Sequence, residues 1–131
     1  MKFLRTTYLI ILIFLNGCGA GTFEQGSVTA DYGNVQKAEE CKTISENQIK
    51  KILKDPLSAI FKHDSSCGKG SLGATGGLPD KYGYLQTGSV KSKNVSGSYT
   101  GFKDYHVLIK NGVAIRFCIV SHGKSLCGPR Q

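Results

Sequence analysis

The 131-residue chain has no tryptophan, few acids (9 Asp+Glu against 17 Lys+Arg, net +8) and no apolar run long enough to cross a bilayer. The longest such run, Thr6–Leu15, is ten residues. As a helix it would reach about 15 Å, half of a ~30 Å hydrocarbon core. The length excludes a two-lobed enzyme with separate cofactor and substrate domains, because one domain takes ~100–200 residues. The 17 glycines follow no period of three, which excludes collagen, and five cysteines are too sparse for a disulfide-dense mini-scaffold. A hydrophobic content of 40% excludes a wholly disordered chain.

Catalytic and metal-binding spacings are missing too. There is no C-x₂-C, H-x-x-H or H-E-x-x-H, so no cofactor or metal site is expected. No G-x-S-x-G surrounds a serine, and none of His63, His106 and His122 stands at a recognisable spacing from a nucleophile. Gly123-Lys124-Ser125 fails as a phosphate loop, because Cys118 occupies the position of the first glycine. The expectation is a non-enzymatic protein.

What is present begins at the N-terminus. Lys2 and Arg5 precede the apolar run, which therefore reads as the h-region of a secretory signal, and Leu15-Asn16-Gly17-Cys18 follows at once. This tetrad resembles the lipobox of bacterial lipoprotein precursors. The resemblance implies that residues 1–17 are removed as a signal peptide and that Cys18 is diacylglycerated, usually with further acylation (palmitate, for example) of the new amine. Several acyl chains hold far more firmly than one, so the membrane would be a permanent partner. Gly19 in place of Asp after the cysteine implies sorting to the outer rather than the inner membrane. Asn16 departs from the commonest pattern, and an ordinary signal peptide cut after Ala20 is the alternative.

Four cysteines remain, Cys41, Cys67, Cys118 and Cys127, an even number that in an exported chain implies two disulfides with three pairings open. Residues 18–40, rich in Gly, Ser, Thr and acids, read as the acylated N-terminus and a flexible tether, the alternative being that Tyr32 and Val35 pack on the domain. Residues 41–131 read as one small domain. Ser45-Glu46-Asn47-Gln48 matches a capping box and predicts a helix from Ser45 to about Lys54, stopped by Pro56. Leu57, Ala59 and Phe61 alternate as a strand. Ser65–Lys81, 17 residues with five Gly, reads as a long loop.

The remainder predicts antiparallel sheet: Tyr82–Lys93, Ser98–Lys110 and Val113–Ser121, the last two joined by Asn111-Gly112. A two-residue turn there pairs Leu108 with Ile115 and His106 with Phe117. Leu108, Val113, Ile115, Phe117 and Ile119 are then the core face. A second turn at His122-Gly123 sets Cys118 opposite Cys127, within disulfide reach, and Cys41–Cys67 follows by elimination. The fold class is α+β, one N-terminal helix on about four antiparallel strands.

The basic excess survives processing, since only Lys2 and Arg5 precede Cys18. Lys91, Lys93 and Lys103 with Tyr99 and Tyr105, together with the Gly-rich loop, form the candidate binding surface. It suits an anionic envelope component or an acidic protein, and export argues against nucleic acid. Asp55-Pro56-Leu57-Ser58-Ala59-Ile60-Phe61 and Lys93-Asn94-Val95-Ser96-Gly97-Ser98-Tyr99 resemble a pattern in small bacterial envelope proteins of unassigned function, which implies a helix-and-sheet fold and no activity. The sequence leads to a lipid-anchored binding or accessory protein facing the periplasm or cell surface. The alternative is a protective lipoprotein: a phage or plasmid exclusion factor, an immunity protein or a lysozyme inhibitor.

Overall fold

The computed structural model describes residues 29–64, 66–74 and 78–129. The h-region, the lipobox and Cys18 lie outside these residues. One helix, α1 (Ala38–Lys50), precedes six strands: β1 (Ile60–His63), β2 (Gly68–Ala74), β3 (Leu78–Lys91), β4 (Lys103–Lys110), β5 (Val113–Ser121) and β6 (Lys124–Pro129). The class is α+β, with six strands in place of the four expected.

The sheet is antiparallel in the order β1-β3-β4-β5-β6, with β2 also paired to β3. Residues 84–85 of β3 pair with both β2 and β4, and residues 88–90 with both β1 and β4. Since β4 takes one edge of β3, β1 and β2 share the other edge end to end. The Gly-rich stretch is thus a strand and a hairpin rather than a loop, apart from residues 75–77, which lie outside the described set. Gly70 faces Gly83 in the register, and side chains at both would crowd neighbours. A Cβ on Gly83 would sit 2.5 Å from the Ile109 carbonyl oxygen, and one on Gly70 3.0 Å from Leu85 Cβ. These glycines allow close approach of backbones, a role that composition alone reads as loop.

The helix begins seven residues before the capping box. Glu39 and Glu40 occupy its first turn, where carboxylates favour the helix dipole, while Lys37 at the N-cap supplies no side-chain bond. Ser45 is not a cap. It lies fully buried in the helix interior beside Cys41, Gln48 and Ile49, and its hydroxyl has no hydrogen-bond partner among the described residues. After Lys50 the chain leaves through two tight turns (Ile52 N to Ile49 O, Leu53 N to Lys50 O).

The segment expected as tether is fixed to the sheet from Asp31 onward. Lys110 Nζ donates to Asp31 Oδ2 at 2.8 Å, and the Asn34 amide donates to Asn111 Oδ1 at 2.8 Å. The Lys110 bond, helped by the Gly33 amide, lowers the Asp31 pKa. Tyr32 packs against the core edge-on to Tyr82, whereas Val35 is exposed.

Asn111 and Gly112 adopt φ of 51° and 76°, and His122 and Gly123 49° and 73°, so both tight turns form where the sequence puts them. The first hairpin carries a β-bulge, however. Ile109 pairs with Ala114, but Leu108 pairs with Arg116 and His106 with Cys118, leaving Ile115 as the extra residue. Beyond the bulge every expected pair shifts by one. The helix packs on Tyr105, Val107 and Ile109 of β4, Ala114 of β5, and Tyr84 and Val90 of β3, with Phe117 and Ile119 at the margin. Leu108 is fully buried on the opposite face, where Arg116, 5% exposed, donates from Nη1 to the Leu72 carbonyl at 2.6 Å.

Two disulfides brace the fold. Cys118 lies directly across from Cys127, Cα atoms 4.0 Å apart, and Cys41 of the helix joins Cys67 just before β2. The latter closes 26 residues, worth about 3–4 kcal/mol in the chain-entropy account.

The two roles for Ser45 give opposite outcomes. Replacing a cap by alanine costs about 1 kcal/mol. Removing a buried, unpaired hydroxyl from a helix interior is stabilising instead, so Ser45→Ala should raise Tm by a few degrees, measured by circular dichroism.

Candidate functional site

The site is a surface on the sheet face turned away from the helix, at the end where β4 begins. Three backbone devices assemble it. In the first, Pro56–Ser58 form a 3₁₀ turn, capped where the Asp55 side chain accepts from Ser58 N. Ser58 Oγ accepts from the Lys93 amide at 2.8 Å, which fixes this turn beside the end of β3. In the second, the register of β1 on β3 (Ile60 with Lys91, Lys62 with Ser89) sends Phe61 and His63 to the core and leaves Ile60 and Lys62 outside.

The third device is the turn at residues 94–97. Asn94 Oδ1 accepts from the Ser96 and Ser98 amides at 3.0 and 3.1 Å, Gly97 adopts φ 80°, and Lys93 pairs with Tyr99. The Thr100 amide then bonds Ser92 O at 3.0 Å, which carries the chain to Phe102.

On this frame three ammonium groups share two rings. Lys62 Nζ lies 4.3 Å from the Phe102 centroid, and Lys91 Nζ 5.0 Å from Phe102 and 5.4 Å from Tyr99. Lys93 Nζ is 5.5 Å from Tyr99. Each such contact contributes about 0.5–1 kcal/mol at an exposed site. Tyr99 and Phe102 stay 47% and 40% exposed. Among the described residues none of the three lysines forms an ion pair. Asp104, exposed and two residues after Phe102, pairs with Ser89, which separates it from Lys62 across the sheet, and borders the patch on the β4 side.

Of the expected surface residues, Lys91, Lys93 and Tyr99 come together and two do not. Lys103 borders a separate apolar groove with Ile52, Leu53, Phe117, Ile119 and Leu126. Tyr105 is fully buried in the core. Lys62 and Phe102 take their places. The signal for Lys62 was its alternation with Phe61 and His63, which only the β1–β3 pairing makes useful. Lys110 is held by Asp31, and Arg116 is buried.

Tyr105 belongs to a second arrangement. Its hydroxyl lies 2.7 Å from His63 Nδ1, and His63 Nε2 lies 3.0 Å from Glu46 Oε1 of the helix. With the proton on Nε2, the imidazole donates to Glu46 and accepts from the phenol. Desolvation, then the charges of Glu46 and Asp64, push the Tyr105 pKa well above its usual value, so the phenol keeps its proton. Buried and fully protonated, it braces the core and is not set up as a nucleophile or general base. Gly88 makes room for it, since a Cβ there would overlap the Lys62 carbonyl oxygen and lie 2.6 Å from the phenol oxygen. Among the described residues no cluster of three His, Cys, Asp or Glu could hold a metal ion, and no helix is long and apolar enough to cross a membrane.

Compared with known proteins, the chain matches no family model, no curated protein and no solved structure.

The brace makes a graded prediction. Tyr105→Phe keeps the ring and removes one hydrogen bond, and should cost about 1 kcal/mol in urea unfolding. Gly88→Ala, which forces ring and backbone apart, should cost more than Tyr105→Phe.

Proposed function

We propose that the protein is a lipid-anchored lipoprotein of the bacterial cell envelope with a non-enzymatic binding or accessory role, acylated at Cys18 and held at the outer membrane. Its binding surface is the face formed by Lys62, Lys91, Lys93, Tyr99 and Phe102. The observation that carries this reading is that three lysines with no carboxylate partner among the described residues are stacked on two half-exposed rings. Lysines that serve solubility alone need no such gathering. An anionic component of the envelope is the partner this surface suits, by Coulomb attraction and by the donors of the ammonium groups.

Two further features agree with export. Leu15-Asn16-Gly17-Cys18 follows a charged and then an apolar segment, as in lipoprotein precursors. Two disulfides suit an oxidising compartment.

Cells expressing the full chain should incorporate labelled palmitate, and Cys18→Ala should abolish the label. An unlabelled chain, with a free thiol at Cys18 by mass spectrometry, would end the anchoring reading. The surface is tested separately. Lys62→Gln, Lys91→Gln and Lys93→Gln together should lower retention of envelope components at low salt about tenfold or more, with Tm unchanged. Equal retention would end the assignment of this face.

A further inference from the structure

Apolar side chains at the same end of the sheet are exposed to a degree that the lysines do not explain. Leu57, on the 3₁₀ turn, is 98% exposed, and Val95, within the 94–97 turn, 89%. Ile60, paired with Lys91, is 43% exposed. The Ser58–Lys93 hydrogen bond holds the two turns side by side, so Leu57, next to Ser58, and Val95, two residues after Lys93, stand on adjoining turns beside the Lys93–Tyr99 pair. Single exposed aliphatics are ordinary, whereas a contiguous group around a charged cluster marks an interaction site.

The composition of this end matches the boundary layer of a bilayer. Aromatic rings sit at the level of the headgroups, lysines reach lipid phosphates while their stems stay in apolar surroundings, and aliphatic side chains enter just beneath. A partner that offered acidic groups alone would account for the lysines but would leave Leu57 and Val95 unburied at their turn tips. Of the neighbouring carboxylates, Asp55 caps its own turn, Asp104 stands at the border, and Asp64, two residues after Lys62, forms no ion pair with the three lysines among the described residues, so the centre of the patch is positive.

We infer that this end of the sheet docks on an anionic bilayer surface, with Lys62, Lys91 and Lys93 on lipid phosphates and Leu57 and Val95 entering the headgroup boundary. The inference rests on the reading of this face as the binding surface and names its partner. Each lysine near an anionic leaflet strengthens attachment about fivefold, so the three together give about a hundredfold. That is a reversible contact. It becomes dominant when an acyl anchor keeps the domain at high effective concentration near the lipid.

The chain as purified from the envelope is mixed with excess nanodiscs, one set of phosphatidylcholine and one containing a third phosphatidylglycerol. Each set is doped with a lipid spin-labelled on its headgroup. Amide signals of residues 57–62 and 93–102 should lose at least half their intensity in the anionic discs and little in the neutral ones. Raised salt or the triple Lys→Gln variant should restore them. Val95→Asp, at an exposed tip away from the core, should restore them in part.

Equal loss in neutral discs, loss spread over the whole domain, or loss on another face would overturn the inference. If these signals never change while the triple variant still loses its envelope partner, the face binds an acidic protein. The bilayer inference then falls and the binding-surface reading stands. If neither responds, both fall.

Discussion

The place where Tyr105 crosses Gly88 ties the helix, three strands and the outer surface together. The ring passes over a residue with no side chain, and only so does the phenol reach His63, which in turn reaches Glu46 of the helix. Phe61 packs edge-on to Tyr105 at 5.9 Å and lies parallel to His63 at 6.3 Å, so β1, only four residues long, is held by its two inward rings. A short strand at the sheet edge has little hold from its ladder alone. Its outward residues, Ile60 and Lys62, owe their places to that inward packing. The lysine cluster on one face therefore depends on a hydrogen-bonded, desolvated tyrosine on the other.

The energetics of the cluster explain how it persists with no carboxylate partner among the described residues. Lys62 and Lys91 share the Phe102 ring, which puts their ammonium groups within about 9 Å of each other. At that distance two charges in water repel by about 0.5 kcal/mol. The ring contact offsets this, contributing about 0.5–1 kcal/mol per ammonium. The ring contacts thus more than offset this repulsion, and the outward field is undiminished. Carboxylate partners would have stabilised the fold little more at such exposure and would have cancelled the field.

Local signals were legible wherever a single residue type dictates geometry. Asn111-Gly112 and His122-Gly123 turn the chain where positive φ is needed, and equal spacing about the second turn brings Cys118 opposite Cys127. What composition misread were places where tertiary contact overrides it. Gly70 and Gly83 sit in facing strands because backbones and neighbours approach them closely, so a glycine-rich run became a hairpin. Ser45 carries the signature of a cap, but the helix extends back to Ala38, with Glu39 and Glu40 in its first turn and Cys41, bonded to Cys67, within it. The bulge at Ile115 has no marker in the residues around it, and it alone turned Leu108 from the expected core face to the other. The site was half legible for the same reason. Lys91, Lys93 and Tyr99 neighbour one another across one local turn, while Lys62 arrives through a long-range pairing that the misread glycine stretch concealed.

The entry point of the chain bears on how an anchored domain would stand. Asp31 and Asn34 are fixed to Lys110 and Asn111, at the end of β4, whereas the lysine cluster gathers around Phe102, just before its start. Eight residues of strand at about 3.3 Å each put these points some 25 Å apart along the sheet. With the cluster against lipid, the entry point is lifted by at most that distance. The twelve residues between Cys18 and Asp31 can span no more than about 43 Å. On the proposed acylation of Cys18, that length is enough for the acyl group and the lysine face to engage one bilayer together. A link of six residues, at about 20 Å, would fall short and hold the domain with its β4–β5 turn toward the lipid. Because Asp31 is bonded to Lys110, the number of residues between Cys18 and Asp31 sets the upper limit of that reach.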